Sequence, residues 1–376
     1  MKIIKILCIA LLVSSGNMFA QQEQQISGKT NTNKFRQLYD EFSTPNMFRT
    51  GSGAPGPAYY QQQADYVIDI ELDEKNKRIH GFETITYTNN SPDNLNYLWI
   101  QLDQNRRSKD SKSPLIETSA ISEGQKVSDF TNSFLKEPFD GGFNIEEVKD
   151  INGNVLAFTI NRTMMRVELP ETMQPGSKFS FSIKWWFNIN NHITVKGRSG
   201  YEDFPDGNSN FVIAQFYPRM AVYNDVEGWQ NSQFWGKGEF ALPFGNFEVN
   251  ITVPSDHILD GTGRLLNREE MYSREMMKRY KLAKKSYNEP VVIVNTEEAE
   301  KASKQASKYN KTWKLYAENV RDFAFATSRR YLLDMMAVKI GDRDVMAVSL
   351  YPKEGNPLWE KWSTIILLVL PGQLLI

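Results

Sequence analysis

Hydrophobic and polar positions alternate with a period of two in the first ordered stretch of the chain. Three runs show it, residues 65–72, 78–88 and 95–102, separated by turn-rich segments at 73–77 and 89–93. Period two is the mark of a half-buried strand, and turns at this spacing predict an antiparallel meander. Residues 145–148 and 155–160 flank Asp150, Asn152, Gly153 and Asn154, where Asn-Gly signals a tight hairpin. Residues 164–169 and 178–187 predict a further pair around Pro170 and Gly176. The cleanest alternation is at 247–253. Phe247, Val249, Ile251 and Val253 share one face, Glu248, Asn250 and Thr252 the other, and Pro254 ends the strand.

After Gly263 the period changes. Residues 265–284 are charged and helix-permissive, and 291–294 read as a short strand. Asn295 with Glu298 three positions on is a helix-start signature, predicting a helix over 297–309. Residues 312–317 and 320–326 are expected to pair as strands. Residues 338–350 are expected to form a hairpin around Gly341 and Asp342. Asn356 followed by Pro357 predicts one more helix start. Two polar, irregular stretches, 103–142 and 188–210, are expected to be a surface excursion and a loop. The fold class is therefore mostly β, an antiparallel saddle- or sandwich-like domain with short helices.

The ends carry a different texture. Lys2 and Lys5, an apolar core at 6–13 and a small residue at Ala20 read as a secretory signal peptide over residues 1–20, with an uncut membrane anchor as the alternative. The apolar core is shorter than the roughly 20 residues of a transmembrane helix, so the mature chain is expected to have no transmembrane span. The protein is thus expected to be exported, periplasmic or secreted. Residues 21–58, rich in Gln, Asn, Thr and Gly, read as a flexible tether before a β domain over 59–350. From Thr364 onward the sequence is uncharged and apolar, interrupted by Pro371 and Gly372.

Composition narrows the functional classes. The 376-residue chain has 24% charged residues and a formal net charge of −1, so no basic stripe points to nucleic acid. Its one cysteine, Cys8, lies in the leader, which leaves the mature chain without a disulfide or a cysteine metal ligand. No G-x-x-x-x-G-K and no G-x-S-x-G occurs, and the glycine-rich run Gly51-Ser-Gly-Ala-Pro-Gly56 reads as a loop by composition.

Four passages carry a resemblance. They are the run 66–104; Ala214-Gln-Phe-Tyr-Pro-Arg219 with Asn224-Asp-Val-Glu-Gly-Trp229; Gly245-Asn-Phe-Glu-Val-Asn-Ile-Thr-Val-Pro254 with Gly261-Thr-Gly263; and Ala317-Glu-Asn-Val-Arg-Asp-Phe-Ala-Phe-Ala326. In this order they resemble the N-terminal region of the aminopeptidase N family of zinc peptidases. The resemblance implies a saddle-like β domain packed against a thermolysin-like catalytic domain, zinc as the parent's cofactor and a peptide as its substrate. It also implies that the segment at 214–217 reaches the substrate's first residue. Gln215 matches the family's substrate-facing Gln, and Tyr217 falls where several members have Glu or Gln. Gln215 and Tyr217 are the candidate substrate-binding residues, against a plainer role as a strand-end polar group and, with Trp229, core aromatics.

The family's zinc site is H-E-x-x-H, in which spacing i, i+4 puts two imidazoles on one helix face. The chain has three histidines, His80, His192 and His257, none in such a motif, and each is expected at a strand tip or in a loop. No metal ligand and no catalytic residue is assigned in this chain. Ala317-Glu318-Asn319 superficially resembles the family's exopeptidase loop, but it runs into 320–323, which belongs to the β domain. Asp203, Asp206, Asn208 and Asn210 miss the EF-hand ligand spacing and read as a solvated loop, and Asp150, Asn152 and Asn154 as turn residues. The expectation is a precursor of a zinc aminopeptidase ending within residues 351–376 at the start of its catalytic domain. The alternative is a stand-alone exported module that binds peptide or protein at the Gln215 face.

Overall fold

A computed structural model describes residues 45–116, 127, 131, 139–195, 197, 199–236, 238 and 240–360. The leader at 1–20, most of the tether and the apolar end at 364–376 lie outside the described residues.

The chain is mostly β. Strands β1 (Gln63–Asp73), β2 (Arg78–Thr88), β3 (Leu95–Gln101), β4 (Asn144–Asp150), β5 (Phe158–Asn161), β6 (Met164–Met173) and β7 (Lys178–Asn188) come first. Next are β8 (Gly200–Asp203), β9 (Ser209–Ile213), β10 (Arg219–Met220), β11 (Tyr223–Asn224), β12 (Gly228–Trp229), β13 (Gly245–Pro254), β14 (Ile258–Gly261) and β15 (Arg264–Leu265). The last are β16 (Val291–Val294), β17 (Asn310–Val320), β18 (Phe325–Ser328), β19 (Tyr331–Ile340) and β20 (Arg343–Pro352). The described helices are short, among them α1 (Ser113–Ile116), α2 (Arg268–Met271), α3 (Arg274–Ala283) and α4 (Thr296–Ser303).

The chain divides into two compact units, residues 1–60 with 223–228, and residues 61–222 with 229–376. In the first, Asn46 Oδ1 accepts from the amides of Phe48 and Arg49, and Phe48 meets Tyr60 edge-on at 5.7 Å. Arg49 forks onto the Asp225 carboxylate, with Nε–Oδ2 at 2.9 Å and Nη2–Oδ1 at 3.1 Å. Residues 45–58, expected within the tether, therefore have local structure of their own.

The second unit is built on a seven-stranded sheet in the order β15-β17-β13-β1-β2-β7-β4. Its inner face is the apolar phase of the alternation. Tyr66, Ile68, Ile70, Ile79, Ile85, Phe181, Ile183 and Trp185 are buried there, with Phe247, Val249, Ile251 and Val253 fully so. Further sheets are β10-β3-β6-β5, β14-β18-β9-β8 and β16-β19-β20. The strand faces follow the sequence; several partners do not. Strand β3 leaves the expected three-strand meander for a second sheet, pairing with β6 and β10. Strands β6 and β7 do not pair with each other, since β7 lies between β2 and β4. Strand β17 joins β13 while β18 joins β14 and β9, so the expected 312–317/320–326 pairing is replaced by two separate sheets. Period two fixes which face a strand buries, but not its neighbour, and any strand with a matching apolar face competes for the edge.

Other expectations hold locally. The Asn-Gly turn closes with Gly153 donating to the Asp150 carbonyl, and Lys149 bridges Val155 before β5 departs to its own sheet. The hairpin of β19 and β20 turns at Gly341 and extends beyond 338–350 at both ends. The loop expected over 188–210 contains the β8–β9 hairpin instead. The helix expected over 297–309 stops at Ser303, after a capping box in which Asn295 and Glu298 exchange bonds of 2.9 and 3.0 Å. Among the described residues no helix is long and apolar enough to cross a membrane.

Strands β1 and β13 pair in parallel, Tyr66 opposite Phe247 and Ile70 opposite Ile251. A parallel pair needs a long crossover, and the whole of residues 74–244 supplies it. At its start the backbones are so close that a Cβ on Gly245 would lie 1.6 Å from the Ala64 carbonyl oxygen. Gly245→Ala is expected to lower stability by about 2 kcal/mol, read as a lower urea midpoint at unchanged slope. An unchanged midpoint would show that this junction is not tight.

Candidate functional site

The segment carrying Gln215 and Tyr217 is a turn between two sheets. Strand β9 ends at Ile213, and the Ala214 amide donates to Ser199 Oγ at 3.1 Å. Gln215 takes a left-handed backbone conformation, φ 53°, which is unfavourable for a residue with a side chain and has to be held by its surroundings. Three residues on, Pro218 fixes the direction in which the chain enters β10.

The turn is held from below and from the side. Phe216 and Tyr217 are buried; Tyr217 meets Tyr66 at 5.3 Å and Phe247 at 5.8 Å, and Phe216 meets Phe325 at 5.3 Å. Trp185 Nε1 donates to the Phe216 carbonyl at 3.2 Å. Gln104 Nε2 donates to the Gln215 carbonyl at 2.8 Å, with the Ala214 carbonyl at 3.4 Å, and Gln104 Oε1 accepts from Arg107 Nη1 at 2.9 Å. The structure thus separates the two candidates. Gln215 is partly exposed at the tip, while Tyr217 is a core aromatic whose hydroxyl donates to Asp322 Oδ1 at 2.9 Å. Tyr217 is 1% exposed, with its ring packed into the core beneath the turn.

Arg219 links the turn to two carboxylates, Asp322 Oδ2 at 2.9 Å and Asp103 Oδ2 at 2.5 Å. The second contact is an ion pair whose atoms are not aligned as a hydrogen bond. Burial alone would lower the Arg219 pKa, and Asp103 and Asp322 more than reverse that, so Arg219 stays charged. Burial pushes Asp103 up against the pull of Arg219.

No periodicity or motif announces this support. Asp103, Gln104, Asn105 and Arg107 were expected on a surface excursion, yet they form a buried 3-10 turn, each exposed by 8% or less. The correction has a physical source. Gln104 and Asn105 are hydrogen-bonded inside the protein, Asn105 for example accepting from the Phe143 amide at 2.7 Å, and a buried polar turn leaves no period. Glu83 was missed as well. It is fully buried in the apolar phase of β2, between Ile68 and Ile183 on the neighbouring strands, with no hydrogen-bond partner. Burial raises its carboxyl well above the ordinary value. A charge on the apolar phase of an alternating strand was the available signal.

The remaining candidates are dispersed. His80 is exposed on β2 and His192 exposed in a turn. His257 precedes β14 and is wholly buried, with Nδ1 at 3.2 Å from Thr327 Oγ1 and Nε2 at 3.5 Å from Glu74. Among the described residues no three His, Cys, Asp or Glu side chains are grouped to hold a metal ion. Asp203 accepts from Ser209, Asp206 from the Asn208 amide and from Arg330, and Asn208 bonds Ser303. Asp150 accepts from Asn152 and Asn154 within its turn. Glu318 and Asn319 lie in β17, Asn319 donating to Asn246 at 3.0 Å.

A second ionic cluster lies around His257. Arg329, almost fully buried, forks onto Glu74 at 2.5 and 2.6 Å and reaches Asp256 at 3.1 Å. Burial opposes ionisation of Glu74, but the neighbouring His257 and the bonds from Arg329 outweigh it and hold the carboxyl down at about 2. A folded pKa below the unfolded value near 4.5 gives stability that is present above pH 4.5 and lost as the pH falls toward 2. Glu74→Gln is expected to cost about 2 kcal/mol at pH 7, after allowance for partial exposure, and nothing near pH 2. Denaturant titrations across that range read the difference; a cost independent of pH would remove Glu74 from the account.

The chain matches no protein-family model and no curated protein. It is similar to solved structures. An M1 zinc metallopeptidase from Deinococcus radiodurans is 12% identical, with 78% of this chain and 47% of that chain covered and a TM-score of 0.41. A mutant of that enzyme bound to a Tyr-Ser-Ala substrate is 11% identical, with 78% and 48% covered and a TM-score of 0.41. A mutant two-domain M1 zinc metallopeptidase bound to L-tryptophan is 10% identical, with 80% and 50% covered and a TM-score of 0.40. The chain spans about half the length of these structures.

Proposed function

We propose that this chain is the N-terminal, β-rich part of an exported zinc-dependent aminopeptidase, and that the turn at Gln215 is its contribution to the peptide-binding site. The observation that carries the reading is where the four resembling passages come together. The run 66–104 supplies Tyr66, Asp103 and Gln104 to the turn; 214–219 is the turn; β13 supplies Phe247; and 317–326 supplies Asp322. Four passages far apart in sequence thus build one strained, braced backbone, with a partly exposed amide side chain at its tip. An amide can both donate to a ligand carbonyl and accept from an ammonium, which suits the first residue of a peptide.

In this reading the β domain covers residues 59–350 and residues 351–376 begin the catalytic domain. The zinc ligands belong to that following domain. Residues 1–20 direct export to the periplasm or beyond. Tyr217 serves the site from beneath, holding the turn through Asp322 rather than meeting the substrate.

The test uses the purified full chain with equimolar zinc and the peptide Ala-Ala-Ala. The expected outcome is no release of alanine, with weak peptide binding that Gln215→Ala reduces about tenfold, the worth of one or two hydrogen bonds. Release of alanine overturns the assignment of the catalytic half to another segment. Binding that is indifferent to Gln215→Ala overturns the site.

A further inference from the structure

Among the described residues Arg107 is a buried cation without a counter-ion. Its residue is 8% exposed, and its one hydrogen-bond partner is the neutral amide oxygen of Gln104 at 2.9 Å. Among the described residues it forms no ion pair. The nearest acid in its field, Asp103, is already engaged by Arg219 at 2.5 Å, and the adjacent Arg106 repels it. Burial and Arg106 together pull the Arg107 pKa down to about 10, which still leaves it charged at neutral pH. The position is enforced. Nη2 occupies the space a Cβ would take at Gly197, 2.3 Å from it, and Arg106 is seated in the same manner against Gly236 at 2.2 Å. Burying an unpaired guanidinium is unfavourable and is ordinarily relieved by a nearby carboxylate. Here no described residue supplies one, and the guanidinium lies one side chain away from the Gln215 turn.

From this geometry we infer that Arg107, oriented by Gln104, is a binding site for the carboxylate group of a ligand. A guanidinium has five N–H donors in a planar fork that matches a carboxylate in two parallel bonds. One donor is spent on Gln104 and the others are available to the ligand. Gln104 joins the two halves of the site, since its oxygen aims Arg107 and its nitrogen fixes the Gln215 carbonyl. That the carboxylate arrives on a peptide, as an acidic side chain, rests on the function proposed above. The carboxylate site itself does not.

The experiment follows the Arg107 Nε–Hε resonance of the full chain, labelled with nitrogen-15 in arginine and assigned by its loss in Arg107→Lys. The probes are acetate, inorganic phosphate, and the amidated tripeptides Ala-Ala-Asp and Ala-Ala-Asn. The expected result is a saturable shift with acetate and with the aspartyl peptide, and affinity for the asparaginyl peptide weaker by about tenfold or more. Gln104→Glu places a carboxylate beside Arg107 and is expected to abolish the acetate response while the fold persists. This keeps the test decisive if Arg107→Lys does not fold. A response to acetate but to neither peptide supports the carboxylate site and removes the peptide reading. No saturable shift with either carboxylate source, or a shift with phosphate alone, overturns the inference.

Discussion

Arg219→Met is expected to lower the unfolding free energy by about 4 kcal/mol, because it leaves Asp103 buried with its carboxylate unpaired. Arg219 also ties Asp322 into the turn, so its loss frees Tyr217 Oη's partner as well. The cost is expected to be mainly that of the orphaned acid. The double variant Arg219→Met, Asp103→Leu should therefore recover most of the stability, since replacing a whole buried pair with apolar groups is often neutral. Urea unfolding of the three chains reads this. If the double variant is as unstable as Arg219→Met alone, the loss lies in the turn rather than in Asp103. The amide of Phe216 gives a second readout, because a loosened turn exchanges faster with solvent.

Glu83→Gln is expected to act in the opposite direction, raising stability at pH 7 by up to about 3 kcal/mol. Glu83 is held neutral by burial, so its folded pKa is above the unfolded value near 4.5. The contribution of such a group is fully present below pH 4.5 and is lost as the pH rises, until the folded pKa is reached. Glutamine has the same shape and the same unsatisfied amide-sized polar group but no proton to lose, so the difference between the two chains isolates the titration. His257 works against this trend in the parent. Burial lowers its pKa, and stability held by a neutral buried imidazole is lost as the pH falls below 6.5. The subtraction of the two profiles cancels His257 and leaves Glu83. A difference that does not grow between pH 5 and 7 would mean that Glu83 is solvated or paired in solution.

These two residues also show what the sequence could and could not reveal. The strand faces were legible because burial writes a period of two. Phe247, Val249, Ile251 and Val253 are all buried, as the alternation requires. The capping box of Asn295 and Glu298 was legible because both its bonds are local. Strand partners were not, since β3 and β6 carry apolar faces that suit either sheet. The turn at Gln215 was visible only as part of a resembling passage. Two of its supports, Gln104 and Asp322, come from positions more than 100 residues away, and hydrogen bonds over such separations leave no pattern in a linear chain. Glu83 alone broke a visible rule, a charge standing where the alternation of β2 puts the core.

The central claim is that a catalytic half belongs after this β domain, and the genomic DNA across and beyond the codon for Ser363 tests it most directly. One reading frame is expected to continue with H-E-x-x-H on a helix and a later Glu, whose two imidazoles and carboxylate are the ligands of a peptidase zinc site. Translation of all three frames without such a motif would contradict it, and would leave the Gln215 turn as the binding face of a non-catalytic module.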